Sequence, residues 1–268
     1  MRKIDQAVKY TTSGSIHNIM SSIVNTDNHA NAKHANHSNH TNKKAHTLPL
    51  SLNQRRYEES IRSPLNSIIV GVGPAGTGKT YIPCSIAAEM LVKKKIKKIL
   101  ITRPAVNVDE SHGFLPGDIE SKMMPYMKPI YDCLNKSGVS NDLIRSYIKN
   151  GIIEICPLSY IRGRTFSDCF LLADETQNCT VNHVKTLLTR IGENCKVVMT
   201  GDTSQSDLPT PVNGLSDLIE RIDIQIADSL DDAFAENAYE SCIDLIRFTD
   251  SDVVRSKTVR EVLKLYNN

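Results

Sequence analysis

The eight residues Gly73-Pro74-Ala75-Gly76-Thr77-Gly78-Lys79-Thr80 constrain this chain more tightly than any other stretch. They follow the apolar run Ile68-Ile69-Val70-Gly71-Val72 and precede a helix-like segment that continues to Met90. The pattern G-x-x-x-x-G-K-[ST] in that setting predicts strand, phosphate-binding loop and helix, in that order. Backbone N–H groups and the helix N-terminus would surround a triphosphate, with Lys79 reaching the β and γ phosphates and the Thr80 hydroxyl on Mg²⁺. Gly73, Gly76 and Gly78 let the backbone approach the anion and take dihedrals that a Cβ would forbid.

With 268 residues the chain has room for one α/β domain of about 200 residues and a tail. No run of 18 apolar residues exists, which excludes a helical membrane span, and the polar N-terminus lacks the apolar core of a signal peptide. The expected location is therefore cytoplasmic. Seven cysteines, Cys84, Cys133, Cys156, Cys169, Cys179, Cys195 and Cys242, form no C-x-x-C pair, so reduced and mostly buried thiols are expected. A net charge of +2 is too small to argue for nucleic-acid binding, which must rest on local residues.

Residues 1–47 are rich in Asn, His, Ser and Thr, and cannot bury a core; they read as a disordered tail ahead of a folded domain over 48–268. His34, His37 and His40 recur at every third residue, and a solvated linker is preferred there over a metal site. Leu52–Ile61 reads as a short helix ended by Ser63-Pro64. Gln54, just upstream of the loop, carries an amide that could read the two-faced edge of adenine; an ordinary surface glutamine is the alternative.

After the loop, Tyr81–Lys94 is expected to be helical, with Pro83 tolerated in the first turn. The lysines from Lys93 to Lys98 read as a solvated helix end that complements the helix dipole, ahead of a nucleic-acid contact. Strand Ile96–Thr102 then delivers Arg103 at its C-terminal end, where ligands sit in open α/β sheets. Gly113–Asp118 is loop punctuation, and Ile119–Leu134 and Asn141–Lys149 read as helices, the first interrupted near its prolines. Strand Ile152–Cys156 leads to a loop with Tyr160, Arg162 and Arg164, which suit a stacked base and a phosphate backbone, or else structural salt bridges.

Cys169–Ala173 is an apolar strand that ends in Asp174-Glu175, 95 residues after Lys79. Asp174 would hold Mg²⁺, and Glu175 would orient and deprotonate an attacking water. A helix over Thr180–Ile191 with Thr180 as N-cap, strand Lys196–Thr200 and the loop Gly201–Gln205 follow. Gln205 either senses the γ phosphate or is a turn residue. A helix starts at Gly214, an acidic stretch fills 227–240, and strand Ile243–Phe248 precedes a closing helix. Arg255 in between could serve as an arginine finger or be structural.

From about Leu52 onward the chain resembles the PhoH-like proteins, a family of phosphate-loop ATPases related to the superfamily 1 helicase core. The resemblance rests on GPAGTGKTY from Gly73, on Thr102–Val106, and on Gly113–Asp118 as GFLPGD. It continues through Arg162–Thr165 as RGRT, Asp174-Glu175 with Gln177-Asn178, Gly201-Asp202 with Gln205 and Asp207–Pro209, and Asp252–Arg255. It implies an α/β, RecA-like parallel sheet flanked by helices that binds and hydrolyses ATP. Gln54 takes the adenine-recognising position, Glu175 the catalytic one, Gln205 the sensor and Arg255 the finger. It also implies a homo-oligomer, such as a hexameric ring, acting on single-stranded RNA or DNA.

Two functions compete on these residues. One is an ATPase that couples hydrolysis to remodelling of single-stranded RNA or DNA, which the pairing of Asp174-Glu175 with Gln205 supports. The other is an ATP-dependent oligomeric switch or scaffold without translocation, which a single RecA-like domain supports. A small-molecule kinase is less favoured: no arginine-rich lid segment is evident, and an Asp-Glu pair suits attack by water.

Overall fold

The structure, a computed structural model, describes residues 50–104, 131–136, 138–209, 212–231, 241–254 and 261. The helices are α1 (Leu52–Arg62), α2 (Tyr81–Val92), α3 (Asn141–Lys149), α4 (Val181–Leu188) and α5 (Gly214–Asp231), and the strands β1 (Ile68–Val72), β2 (Lys98–Thr102), β3 (Ile153–Ile155), β4 (Cys169–Ala173), β5 (Cys195–Gly201) and β6 (Ile243–Arg247). All five strand pairings are parallel, and the order across the sheet is β3-β2-β4-β5-β1-β6. Every strand therefore points its C-terminal end the same way, and β1, β4 and β5 lie together in the middle.

Side chains alternate across a strand, so an apolar run of five supplies both faces of a sheet covered on each side. In β4, Phe170 and Leu172 join one apolar cluster, while Cys169, Leu171 and Ala173 join the other. The first cluster takes Tyr57 and Ile61 of α1, Ile82 and Ile86 of α2, and Ile144 of α3. The second takes Val184 and Leu187 of α4 with Leu215, Leu218 and Ile222 of α5. Burying a side chain such as Phe170 or Leu171, both fully enclosed, contributes about 1.5–3 kcal/mol each.

Most expected elements that fall on described residues form with shifts of one to three residues at their ends, while the helix from Gly214 runs on to Asp231, into the expected acidic stretch. The helix expected over Ile119–Leu134 and the closing helix lie almost wholly outside the described residues. Helix α1 starts on a capping box in which the Ser51 hydroxyl accepts from Gln54 N and the Gln54 carbonyl oxygen accepts from Ser51 N. Helix α2 stops short of Lys94 because Lys94 adopts a left-handed φ of 54°. The lysines beyond it settle on carboxylates: Lys93 on Glu89 at 2.6 Å, Lys97 on Asp168 at 2.5 Å and Lys98 on Glu154 at 2.6 Å. Helix α4 begins at Thr180, whose hydroxyl accepts from His183 N at 3.2 Å.

Among the described residues the seven cysteines are free thiols, five of them buried. Cys169 and Cys195 are register partners on β4 and β5 with their sulfurs 3.4 Å apart. No helix of the described residues is long and apolar enough to cross a membrane. The His-rich segment and the GFLPGD stretch at 113–118 lie outside the described residues.

Candidate nucleotide-binding site

The loop between β1 and α2 is built to come close to an anion, and its own surroundings demand the glycines. At Gly73, φ is 145°, and an added Cβ would sit 2.6 Å from the Phe248 carbonyl oxygen. Gly76 and Gly78 also have positive φ, 90° and 87°. Gly73 N donates to Gly201 O at 3.2 Å, which ties the start of the loop to the end of β5. Within the loop, Thr77 Oγ1 and Lys79 Nζ both donate to Pro74 O at 3.0 Å. The ammonium is thus folded onto its own loop, beside the N-terminus of α2.

Three further hydrogen bonds hold the loop from behind. Tyr57 is fully buried and donates its hydroxyl to Lys79 O at 3.1 Å, while its ring meets Phe248 edge-on at 5.2 Å. An added Cβ at Gly71 would lie 2.7 Å from that hydroxyl, so β1 leaves room for it. The Gln54 amide donates to Thr77 O at 2.8 Å and to Asp252 O at 3.1 Å, and Val254 N donates to Gly76 O at 2.9 Å. Asp252 in turn accepts from Ser51 Oγ at 2.6 Å, Asn53 Nδ2 at 2.9 Å and Thr249 N at 2.8 Å. Burial pushes the Asp252 carboxyl up, but these donations together outweigh it and hold the group below the usual carboxylate range.

Asp174 stands at the end of β4 and is 5 % exposed. Its Oδ1 accepts from Thr80 Oγ1 at 3.0 Å and from the Thr200 hydroxyl at the end of β5. Burial raises its pKa, the Thr200 bond works against that, and the neighbouring Glu175 adds to it. A buried carboxylate beside two hydroxyls is a hard-oxygen donor set that fits Mg²⁺, which takes one or two carboxylates and keeps several waters. A divalent cation there would also reverse the desolvation cost that Asp174 now carries.

Glu175 follows with a left-handed backbone, φ 55° and ψ 41°, a costly conformation for a residue with a Cβ. The kink separates the two carboxylates: Asp174 stays in the sheet edge while the Glu175 side chain is 34 % exposed. Glu175 Oε1 lies 3.4 Å from Arg103 at the end of β2, and Oε2 accepts from Gln177 Nε2 at 2.6 Å. Gln177 Oε1 accepts from Asp202 N at 3.2 Å. Asn178 and Asp207 form a reciprocal pair, Nδ2 to Oδ2 at 2.9 Å and Asp207 N to Oδ1 at 2.8 Å. The segment after Asp174-Glu175 thereby anchors the loop after β5. Gln205 lies on that loop, exposed, with its N–H on Asp202 O at 3.0 Å.

The structure thus brings Gly73–Thr80, Asp174, Glu175, Arg103 and the Gln205 loop to one edge of the sheet. Two expected roles meet a different arrangement. Both amide hydrogens of Gln54 are spent on Thr77 and Asp252 and its oxygen caps α1; the side chain is 3 % exposed, so here it acts as a strut rather than presenting a free edge to adenine. The Ser-x-x-Gln spacing of Ser51 and Gln54 was the available signal for that capping role. Arg164 takes the salt-bridge alternative: it grips Glu154 at 2.5 and 3.0 Å and lies 4.8 Å over the Phe166 ring. Arg164 first, then Lys98, hold the Glu154 carboxyl below its ordinary pKa against the opposing effect of burial. Tyr160 and Arg162 remain exposed on the turn after β3. Arg255 lies outside the described residues.

Sequence reading overlooked the contacts of Tyr57 and Thr200, and met Gln177 and Asp252 only as members of the motifs that carry the resemblance. Tyr57 on Lys79, Thr200 on Asp174, and Asp252 on Ser51 and Asn53 join distant parts of the chain, whereas Gln177 lies two residues from Glu175 and reaches Asp202 with its oxygen.

Comparison with known proteins agrees with this geometry. The model of the family described as PhoH-like protein matches residues 47–267. A PhoH-like protein of Mycobacterium tuberculosis is 36% identical over 272 residues, covering 99% of this chain and 72% of that protein. One from Bacillus subtilis is 39% identical over 221 residues, covering 81% of this chain and 63% of that protein. Among solved structures, the large terminase from a thermophilic bacteriophage matches with a TM-score of 0.50 at 16% identity, over 81% of this chain and 50% of that one. That likeness concerns the fold alone. With its family model matched over nearly all of the described domain, this chain belongs to the PhoH-like protein family.

Proposed function

We propose that this chain binds ATP with Mg²⁺ and hydrolyses it, and that hydrolysis is coupled to binding or remodelling single-stranded RNA or DNA. The observation that carries the reading is the meeting of the Thr80 and Thr200 hydroxyls on buried Asp174, with Glu175 turned out beside it. Gly73–Thr80 would cradle the phosphates, with Lys79 leaving Pro74 O for the more strongly accepting anion. Thr80 and Asp174 would hold Mg²⁺, which when bound neutralises phosphate charge. Glu175 would orient water and take its proton, and Gln205 would report the state of the γ phosphate to the loop after β5. An arginine finger at Arg255, in a homo-oligomer such as a hexameric ring, remains part of this proposal.

Polynucleotide binding is supported by the exposed Tyr160 and Arg162 on the turn after β3, an aromatic and a cation suited to a stacked base and its phosphate. A set of free thiols fits a cytoplasmic setting. The second reading, an oligomeric switch that turns over slowly, is favoured by one observation: both oxygens of Glu175 are engaged, by Arg103 and by Gln177.

Phosphate release measured with and without single-stranded RNA or DNA separates the two. Stimulation by a polynucleotide is expected. Hydrolysis that no polynucleotide changes would transfer the proposal to the switch.

A further inference from the structure

The two contacts on the Glu175 carboxylate differ in kind. Gln177 is 2 % exposed and wedged in place: a Cβ at Gly201 would lie 2.7 Å from its Oε1, and that oxygen already accepts from Asp202 N. Its donation to Glu175 at 2.6 Å is therefore built into the scaffold. Arg103 reaches Glu175 from another strand, at 3.4 Å, with 23 % of its side chain open to solvent. That contact is the one that an arriving anion can compete for.

Arg103 is also placed where a nucleic-acid phosphate would arrive. Strands β2 and β3 are neighbours in register, Ile101 opposite Ile155, and Cys156 N donates to Ile101 O at 2.9 Å. The turn carrying Tyr160 and Arg162 therefore leaves the sheet beside the strand end that carries Arg103. Arg164, two residues beyond Arg162, is held by Glu154 and Phe166. A base stacked on Tyr160 would bring its backbone phosphates toward Arg162 and Arg103.

We propose that Arg103 is a positioning residue that restrains Glu175 in the absence of polynucleotide, and that a phosphate of single-stranded nucleic acid draws the guanidinium away and frees the carboxylate to act on water. A carboxylate that takes one donor from a guanidinium and one from an amide is turned toward those donors and has fewer lone pairs left to present to a water. Exchanging carboxylate for phosphate keeps the arginine paired, so release occurs without exposing a lone charge. The coupling requires no movement of the sheet, but exchange of the Glu175 contact at the end of β2. It rests on the hydrolase reading above, since it assigns Glu175 to the reacting water.

The test compares steady-state phosphate release by wild type, Arg103→Ala, Arg103→Gln and Arg103→Lys, with and without poly(U) or oligo(dT), alongside titration with a fluorescent ATP analogue. Without polynucleotide, Arg103→Ala is expected to turn over about two- to fivefold faster than wild type, the scale of losing one partly exposed ion pair. Its KM for ATP should be unchanged and its stimulation by polynucleotide should fall toward onefold. Arg103→Lys should restore a low unstimulated rate and part of the stimulation, which a merely structural role would not predict. Arg103→Gln carries the same expectation as Arg103→Ala and serves if that variant does not fold. Unstimulated turnover that is unchanged or lowered in Arg103→Ala or Arg103→Gln would overturn the proposal, as would wild-type hydrolysis indifferent to both polynucleotides. A wild type that binds the analogue but releases no phosphate under any condition would instead remove the hydrolase reading beneath it.

Discussion

Around the end of β1, the groups that would meet a ligand belong to consecutive residues, Gly73 to Thr80, and are held from behind by buried side chains. Around the end of β3, Tyr160, Arg162 and Arg164 are close in sequence, yet the structure uses them separately. Arg164 is turned onto Glu154 and Phe166, whereas Tyr160 and Arg162 stay exposed. The first region presents mainly backbone N–H groups, whose direction is fixed once dihedrals are fixed. The second presents side chains, whose direction depends on whichever partner is nearest. Recognition built on backbone tolerates little change in its supports, while recognition built on exposed side chains can lose one member and keep the rest.

That contrast orders the expected effects of substitution. Lys79→Ala should act most strongly, abolishing measurable ATP binding in a titration with a fluorescent analogue, a loss of at least about a hundredfold. Unchanged affinity would remove the loop from the site. Asp252→Ala should be the next largest, since it strands donors from Ser51, Asn53 and Thr249 behind the loop. A loss of about 3 kcal/mol in urea denaturation is expected, and a loss below about 1 kcal/mol would show that the back of the loop does not depend on this carboxylate.

Asp252 also makes an acid prediction. Its folded-state pKa is lowered, so its contribution is fully present above the unfolded value of about 4 and is lost as pH falls through the lower folded value. Wild type should therefore lose more stability than Asp252→Asn as pH falls below about 4. Equal slopes would contradict the assignment.

On the β3 side the effects should be smaller and divided. Tyr160→Ala should weaken single-stranded RNA or DNA binding by about 1–2 kcal/mol in fluorescence anisotropy, the worth of one stacked base. Arg164→Met should leave that affinity unchanged and cost no more than about 1 kcal/mol of stability, because its pair with Glu154 is partly exposed. Equal losses of affinity in both variants would mean that the three residues act as one surface after all.

The same contrast explains what was legible in the sequence. The loop could be read because its chemistry is local: spacing places the lysine, the threonine and the glycines without reference to the rest of the chain. The buried strands could be read because a sheet covered on both faces leaves continuous apolar runs such as Cys169–Ala173. Asp174-Glu175, a common pair after an apolar strand, gained meaning from standing downstream of the phosphate loop, although the hydroxyl of Thr200 on Asp174 could not be foreseen from its position on a neighbouring strand. Gln54 illustrates the limit. Its amide looked available for adenine because the competing partners, Thr77 and Asp252, lie 23 and 198 residues away. The partner of Arg164 is only 10 residues away, but a turn separates them and nothing in the spacing says which way the side chain will face.

The proposed hydrolysis, with Glu175 as base beside a proposed metal site at Asp174, is tested most directly by Glu175→Gln, which keeps the shape of the side chain and removes the base. The variant should bind the fluorescent ATP analogue with the affinity of wild type while its rate of phosphate release falls about a hundred- to a thousandfold. Turnover within twofold of wild type, at unchanged affinity, would contradict the assignment of Glu175 to the reacting water.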